Sequence, residues 1–272
     1  MTILVTGATG TIGSAVVEEL LRRGHRVRAL TRDAAAANLP GDVEVVEGDL
    51  TEPETVEPAL RGVTAVHLLS ATGSDVIPLA TGPRLVELAR RAGVRRVTVL
   101  ATGTDGPVEQ ALRESDLEWT VLLPIDVMSN TLGWAQSIRD AAVVEEPYGA
   151  RRTASVDIAD FAAVVATVLA NGGHAGKSYR VTGPEGLTPA DKVRAISAAT
   201  GRELGFTELT DEQARGLWRS QGWPEEGIDF MLTMWATVPA TVGVPTSVVQ
   251  DVTGRQPRTF ADWAAENASL FV

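Results

Sequence analysis

The chain has 272 residues, of which 44% are hydrophobic and 22% charged, and its formal net charge is −11. This composition is typical of a globular protein with one large α/β domain, or with a nucleotide-binding domain and a smaller lobe. The negative charge opposes binding to nucleic acids and anionic membranes, and the absence of cysteine excludes disulfides and thiolate metal sites. The three histidines show no metal-ligand spacing, so we expect no metal.

The first half of the chain alternates short β-branched runs with amphipathic segments, which predicts parallel βαβ units. Right-handed crossovers between such strands build a doubly wound parallel Rossmann sheet, which binds its ligand at the carboxyl ends of the strands. The predicted strands are Ile3–Val5, Val27–Leu30, Val43–Glu47, Ala65–Leu69, Arg96–Leu100 and Trp119–Leu122, and the predicted helices between them are Thr11–Arg23, Glu54–Leu60, Gly82–Ala92 and Val108–Glu114.

After Pro124 the pattern becomes mainly helical. The predicted elements are a helix at Ile158–Ala170, a strand at Ser178–Val181, and helices at Pro189–Thr200, Asp211–Gln221, Glu225–Ala236 and Phe260–Ala268. Five tryptophans follow Pro124, and we expect one or two of them to line a substrate pocket, because tryptophan is also a common packing residue. We therefore predict an α/β protein with a dinucleotide-binding Rossmann domain at 1–150 and a smaller, mainly helical substrate lobe at 151–272, interleaved with the sheet.

The N-terminus opens on the apolar run Ile3-Leu4-Val5, without a basic region before it. Apolar stretches of the roughly 18 residues that span a bilayer do not occur in the sequence. These features predict a cytoplasmic protein, which we expect to be a monomer or a homodimer.

A glycine-rich turn, Gly7-Ala8-Thr9-Gly10-Thr11-Ile12-Gly13, joins the first predicted strand to the first helix. Free N–H groups and the helix dipole make this position an anion site that suits the pyrophosphate of a dinucleotide. Gly7 permits the tight turn, Gly10 lets the backbone approach the phosphates, and Gly13 lets helix and strand pack closely. The predicted cofactor contacts in this turn are Gly7, Thr9, Gly10, Thr11, Ile12 and Gly13.

The second strand ends in Leu30-Thr31-Arg32, without the acidic residue that binds the ribose 2′-hydroxyl of NAD. Arg32 suits a 2′-phosphate, which favours NADP(H) over NAD(H), whereas the alternative is a solvated surface arginine. Other strand ends supply the further predicted contacts: Asp49 and Leu50 near the adenine, Leu69, Ser70 and Ala71 near the nicotinamide ribose, and Thr102 and Pro124.

These residues resemble the NmrA-like family of atypical short-chain dehydrogenases, which includes NADPH-dependent quinone reductases. The resemblance covers residues 1–185 and implies a Rossmann fold, an NADP(H) cofactor and a small aromatic or quinone-like substrate. The chain departs from the family at Leu123, where an arginine is common, and at Ile125-Asp126, where a glycine-aromatic pair is common. The matching segments are the glycine-rich turn, Thr31-Arg32-Asp33, Gly48-Asp49-Leu50, Ser115–Pro124, Met128-Ser129-Asn130 and Asp157-Ile158-Ala159-Asp160.

Typical short-chain dehydrogenases use a Tyr-x-x-x-Lys pair as proton donor, and this sequence has none: Tyr148 and Tyr179 are followed at that spacing by Arg152 and Gly183. Hydride transfer to a quinone gives an anion that resonance stabilises and solvent protonates, so such an acceptor suits the chain. For other carbonyls the candidate donors are Thr102, Thr104, Asp126 or a water. Asp126 fits equally well as a loop carboxylate that caps backbone N–H groups.

Three functions follow from this sequence. The favoured one is an NADPH-dependent reductase of a quinone or conjugated carbonyl, with the aromatic lobe shaping the pocket. The second is a non-catalytic NAD(P)(H)-binding redox sensor that acts through a protein partner, which the missing Tyr-x-x-x-Lys pair suits equally. The third is a pathway-specific ketone or imine reductase with an unconventional donor, for which Asp126 is the first candidate.

Overall fold

The structure is a computed structural model that describes residues 1–73, 76–103 and 105–272. The strands are β1 (Thr2–Thr6), β2 (Arg26–Thr31), β3 (Glu44–Glu47), β4 (Ala65–Leu69), β5 (Ala71–Thr72), β6 (Ile77–Pro78), β7 (Arg96–Leu100), β8 (Glu118–Pro124), β9 (Val143–Pro147), β10 (Lys177–Val181) and β11 (Gly205–Leu209). The α-helices are α1 (Thr11–Arg22), α2 (Glu57–Leu60), α3 (Gly82–Arg91), α4 (Pro107–Arg113), α5 (Ala135–Ala141), α6 (Ile158–Ala170), α7 (Pro189–Thr200), α8 (Asp211–Ser220), α9 (Glu225–Thr237), α10 (Val248–Thr253) and α11 (Phe260–Glu266).

The chain forms two compact units, each assembled from three separate segments. Unit 1 comprises residues 1–124, 158–181 and 248–255, and unit 2 comprises residues 125–157, 182–247 and 256–272. The predicted boundary at residue 150 differs from this division in two places. Residues 125–150 lie in unit 2, although the sequence places them with the dinucleotide-binding domain. Conversely, α6 and β10 lie in unit 1, although the sequence places them in the substrate lobe. The assignment of cofactor and substrate roles to the two halves stays a prediction.

Unit 1 is built on a seven-stranded parallel sheet in the order β10-β8-β7-β4-β1-β2-β3. From β1 the chain proceeds through β2 and β3 to one edge and then returns to build the other half from β4 onward. This reversal between β1 and β4 is the switch point at which doubly wound sheets bind their ligands. The predicted α/β Rossmann class is confirmed.

The central strand β1 is apolar on both of its faces because helices cover both sides of a parallel sheet. Leu4 packs in a core with side chains of α2, α3 and α4. On the neighbouring residues Ile3 and Val5 the side chains are also fully buried. Helices α1 and α6 pack against each other, and Arg23, which follows α1, donates to Thr167 of α6 at 2.8 Å. The alternating apolar runs therefore form the sheet core that the sequence predicts.

One predicted helix, Glu54–Leu60, is divided in the structure. A 3₁₀ turn at Pro53–Thr55 precedes the single turn of α2. Pro58 carries no backbone N–H, so it cannot make the hydrogen bond that would join the two pieces into one α-helix.

Unit 2 contains a two-stranded parallel sheet of β9 and β11, in which Val143 lies opposite Gly205. Its main core joins α5, α7 and α11 through Ile138, Ile196 and Trp263. A separate small cluster holds α8 against α9. Helices α7, α8, α9 and α11 agree with the predicted elements, whereas the sequence analysis predicts neither β9 and β11 nor α5 and α10.

Within residues 1–73, 76–103 and 105–272, none of the helices combines the length and apolarity needed to cross a membrane. The same part of the chain holds no group of three or more histidine and carboxylate side chains that could bind a metal ion.

Candidate functional site

The turn after β1 is shaped by glycines that leave no room for side chains. Gly7 has a φ of +62°, and a Cβ atom there would lie 2.7 Å from Leu69 Cδ1. A Cβ atom on Gly13 would lie 2.0 Å from the carbonyl oxygen of Gly7. The N–H of Gly10 donates to that same oxygen at 3.0 Å and closes the turn. The three glycines thus keep the backbone itself at the surface of the site.

Helix α1 begins at Thr11 with Gly10 as its N-cap, and no described side chain caps it. Its first-turn N–H groups therefore remain available, and the positive end of the helix dipole lies beside them. The first turn also carries no acidic residue that would repel an anion. These properties fit the pyrophosphate of a dinucleotide.

A cleft of about 630 Å³ opens over this turn within unit 1. It lies at the carboxyl ends of β1, β2, β3 and β4, where the chain order of the sheet reverses. Most of the predicted cofactor contacts line it, namely Gly7, Thr9, Gly10, Thr11, Ile12, Gly13, Arg32, Asp49, Leu50, Leu69 and Ala71.

Three other predicted contacts do not line this cleft. Ser70 is buried, and its hydroxyl donates to the carbonyl oxygen of Leu100 at 3.0 Å, so it joins the ends of two strands. Thr102 is exposed after β7, and Pro124 is the half-buried last residue of β8. Their cofactor and catalytic roles stay predictions, and Thr104 lies outside the described residues.

Arg32 stands exposed at the edge of the cleft and forms no ion pair with a described residue. The carboxylate next to it is already engaged, because Asp33 Oδ1 accepts hydrogen bonds from the N–H groups of Ala35 and Ala36, both at 3.0 Å. Asp33 therefore holds a turn and does not pair with the guanidinium of Arg32.

Asp49 follows β3 and also lines the cleft. Its Oδ1 accepts from the N–H and the hydroxyl of Thr51 at 2.8 and 2.7 Å. These hydrogen bonds, with a smaller contribution from the charge of Arg32, lower the pKa of Asp49. The side chain is ionised at neutral pH, so it can accept a hydrogen bond from an amino group.

A second cavity, of about 620 Å³, lies within unit 2. Four tryptophans line it, at positions 134, 218, 223 and 235. Trp218 and Trp223 are stacked with ring centroids 5.8 Å apart. Walls of this kind bind planar aromatic molecules. Four of the five tryptophans that follow Pro124 thus line a cavity, where one or two are expected from the sequence. The fifth, Trp263, packs in the core with Phe260 and Phe271.

An arginine completes one aromatic wall of this cavity. The guanidinium of Arg151 lies 4.1 Å from the ring centroid of Trp235 and 2.7 Å from Glu146 Oε2. Glu146 also accepts from the indole N–H of Trp134 at 2.8 Å. The ion pair thereby fixes the orientation of two of the four tryptophans.

Asp126 lies in the wall of the same cavity, in a buried ion pair with Lys192. The Nζ–Oδ2 distance is 2.9 Å, and the two side chains are 7% (lysine) and 10% (aspartate) exposed. The hydroxyls of Ser155 and Thr153 donate to the same oxygen at 2.5 and 3.1 Å. Asn130 Nδ2 donates to Oδ1 at 2.8 Å.

Burial raises the pKa of Asp126, but the charge of Lys192 and the hydrogen bonds from Ser155, Lys192 and Asn130 outweigh it, and the pKa lies below its usual value. The carboxyl group is therefore ionised at neutral pH and carries no proton to give. This geometry favours Asp126 as a hydrogen-bond acceptor over the proton donor that the sequence analysis considers.

Lys192 is not among the predicted site residues, because no tyrosine stands four residues before it. A signal was nevertheless present. On α7, Lys192 falls at helical spacing with Pro189, Val193 and Ile196, all of which are buried. A charged residue within an apolar stripe predicts a buried partner of opposite charge.

A protein-family model described as NAD(P)H-binding matches residues 7–172, from the first glycine of the turn to two residues past the end of α6. The chain belongs to this family.

Curated relatives extend the match over the whole chain. The NAD(P)H azoreductase of Xenophilus azovorans is 37% identical, and the (4-alkanoyl-5-oxo-2,5-dihydrofuran-3-yl)methyl phosphate reductase of Streptomyces griseus is 36% identical, each over 99% of both chains. Among solved structures, an NADPH-dependent quinone oxidoreductase from Escherichia coli superposes with a TM-score of 0.82 over 97% of this chain and 98% of its own, at 23% identity. That likeness shows a shared fold.

These comparisons confirm the predicted resemblance to NmrA-like reductases. The chain is an NAD(P)H-dependent oxidoreductase. The relatives that are named as reductases do not support the non-catalytic sensor.

Proposed function

We propose that the protein is an NADPH-dependent reductase whose substrates are quinones or related conjugated acceptors. The observation that carries this proposal is the pairing of the buried ionisable groups in the aromatic cavity of unit 2: Asp126 with Lys192, and Glu146 with Arg151. Neither carboxylate is placed as a proton donor, so an acceptor whose reduced anion needs no enzymic acid suits the site best.

The cofactor half of the proposal rests on the cleft of unit 1. The turn from Gly7 to Gly13 would hold the pyrophosphate, Arg32 the 2′-phosphate, and Asp49 the adenine amino group. A bound nicotinamide cofactor supplies the hydride. Arg32 supports NADP(H) over NAD(H), because its guanidinium lines this edge of the cleft and forms no ion pair with a described residue. The neighbouring carboxylate of Asp33 instead accepts hydrogen bonds within its own turn.

The substrate half draws support from the relatives. One is named an azoreductase, and a protein of the same fold is named a quinone oxidoreductase. Azo compounds and quinones both accept a hydride and a proton in one two-electron reduction, and both are planar and conjugated. The aromatic cavity matches that shape, and solvent can supply the proton.

The test is a turnover assay with purified full-length protein, NADPH and no added flavin. The substrates are 1,4-naphthoquinone, an arylazo dye and, as the unactivated control, cyclohexanone. We expect loss of reduced-nicotinamide absorbance with at least one conjugated acceptor. The rate with cyclohexanone should be lower by at least about 100-fold. Absence of turnover with every conjugated acceptor, or equal rates with cyclohexanone, would contradict the proposal.

A further inference from the structure

The lysine in the unit 2 cavity has no hydrogen-bond donor left for a ligand. Its Nζ donates to Asp126 Oδ2 at 2.9 Å, Thr153 Oγ1 at 2.9 Å and Ser155 Oγ at 2.7 Å. An ammonium group has three N–H donors, so all three are used. The two hydroxyls in turn donate to Asp126 Oδ2. Lys192 is therefore a positioning residue that holds the aspartate ionised and in one orientation.

Two neighbouring groups keep hydrogen-bonding capacity. Asp126 Oδ1 accepts one bond, from Asn130 Nδ2 at 2.8 Å, and a carboxylate oxygen can accept a second. Asn130 Nδ2 has a second hydrogen, and within the described residues it has no other partner than Asp126. Both residues line the cavity, and Asn130 is exposed. An ionised acceptor and a neutral donor thus stand side by side.

The aromatic walls supply the rest of the recognition. Trp218 and Trp223, stacked on each other, line the same cavity as Asp126 and Asn130. A planar ring system that packs among these tryptophans would bring a ring substituent within reach of a charged acceptor. A hydrogen bond to an ionised acceptor in a partly buried site is stronger than one between neutral groups.

We propose that Asp126, held by Lys192, selects aromatic ligands that carry a hydroxyl or amino donor on the ring, and that Asn130 serves an acceptor group next to that donor. Hydroxylated azo compounds and the hydroquinone products of quinone reduction carry such donors, whereas an unsubstituted quinone does not. The inference rests on the proposed function only in naming the ligand as a substrate or product.

The experiment compares 2-naphthol with 2-methoxynaphthalene, which has the same ring but no hydroxyl donor. Binding to cofactor-free full-length protein is measured by titration calorimetry. We expect 2-naphthol to bind about tenfold more tightly or better, as the loss of one hydrogen bond to a charged group would give. A ratio below about twofold, or no binding of either probe, would overturn the inference.

Variants separate the acceptor from the general shape of the cavity. The double variant Asp126→Leu with Lys192→Met removes both charges and the acceptor oxygens together and is expected to bring the ratio close to one. Asp140→Asn is the matched control, because Asp140 is an exposed carboxylate of the same cavity, and it should leave the ratio unchanged. If the double variant loses its far-UV circular dichroism, the ratio for Asp126→Asn alone decides, and an unchanged ratio there contradicts the proposal.

The two proposals fail separately. Discrimination between the naphthalene probes without NADPH turnover would contradict the proposed function and leave the Asp126 acceptor standing. Turnover of conjugated acceptors without that discrimination would contradict the acceptor and leave the proposed function intact.

Discussion

The carbonyl oxygen of Gly7 lies 2.0 Å from the position that a Cβ atom on residue 13 would occupy. The end of β1 and the first turn of α1 therefore touch through backbone alone. This contact brings the uncapped helix terminus to the cleft at the switch point of the sheet. The shape of the cleft and the core packing of unit 1 thus depend on the same glycine.

Replacing Gly13 by alanine should weaken NADPH binding and lower the stability of the protein. The new methyl group has to displace backbone, so we expect NADPH binding at least about tenfold weaker and a free energy of unfolding lower by about 1–3 kcal/mol. Cofactor titration and urea unfolding measure the two effects. Gly216→Ala in the exposed part of α8 is the control, since no atom lies within 4 Å of its Cβ position. That change should raise the free energy of unfolding by about 0.5–1 kcal/mol. Unaltered NADPH binding in Gly13→Ala would contradict the placement of the pyrophosphate.

Cofactor preference should depend on Arg32. Arg32→Gln removes a charge-assisted contact to the 2′-phosphate, so we expect the KM for NADPH to rise about 10- to 100-fold while that for NADH changes less than about twofold. Steady-state kinetics with both cofactors measure this. Arg26→Gln, at the first residue of β2 and therefore at the end of the strand away from Arg32, should change neither value. Parallel increases for the two cofactors after Arg32→Gln would show that the residue does not recognise the 2′-phosphate.

Stability should fall in mild acid because of His67. This residue is fully buried in β4, its Nδ1 lies 2.9 Å from Thr98 Oγ1, and desolvation lowers its pKa from 6.5 to about 4. Between those values the unfolded chain binds the proton and the folded chain does not. The free energy of unfolding is therefore unaffected by the titration of His67 above pH 6.5. It decreases as the pH falls toward 4, by about 3 kcal/mol in all.

Urea unfolding at pH 7 and pH 5 tests this dependence. His67→Val cannot titrate, so the loss of unfolding free energy between the two pH values should be smaller than in the unchanged protein by about 2 kcal/mol. His25→Gln is the comparison: burial also lowers the pKa of this partly buried histidine, and its replacement should reduce the loss of unfolding free energy less than His67→Val does. Equal pH dependence in the His67 variant and the unchanged protein would mean that another group is responsible.

The guanidinium of Arg151 should not be replaceable by an ammonium. Its plane covers Trp235 while Nη2 bonds Glu146, and lysine cannot do both. We expect Arg151→Lys to lower the free energy of unfolding by about 1–2 kcal/mol, measured by urea denaturation. The adjacent Arg152, whose side chain is 60% exposed, gives the control Arg152→Lys, for which a change within about 0.5 kcal/mol is expected. A similar decrease in the free energy of unfolding in both variants would exclude a special role for the contact between Arg151 and Trp235.

The strands of the main sheet are predictable from sequence because most of them are short apolar or β-branched runs next to a glycine or a turn. The pair β9 and β11 is not, because Glu145, Glu146 and Glu208 interrupt the apolar pattern and the two strands lie far apart in the chain. Their pairing is a tertiary contact, which local periodicity does not encode.

The residues of the candidate sites likewise differ in how far the sequence predicts them. The glycine turn and Arg32 follow from local rules, since a strand end and a helix start fix where their groups lie. The Asp126–Lys192 pair joins residues 66 positions apart, and only the folded chain brings them together. The sequence therefore identifies Asp126 as a candidate but not its partner, and the partner decides whether the carboxyl group is an acid or an acceptor.

The segmented construction of unit 1 has a consequence for its synthesis. The edge strand β10 and the helix α10 belong to that unit, yet β10 is translated after the first segment of unit 2 and α10 after the second. A nascent chain that has reached residue 150 holds β8 with an open edge, which is a surface prone to pairing with other chains. Unit 1, whose first segment precedes all of unit 2 in the chain, is thus completed only at residue 255, and its seven-stranded sheet cannot be excised as one contiguous piece.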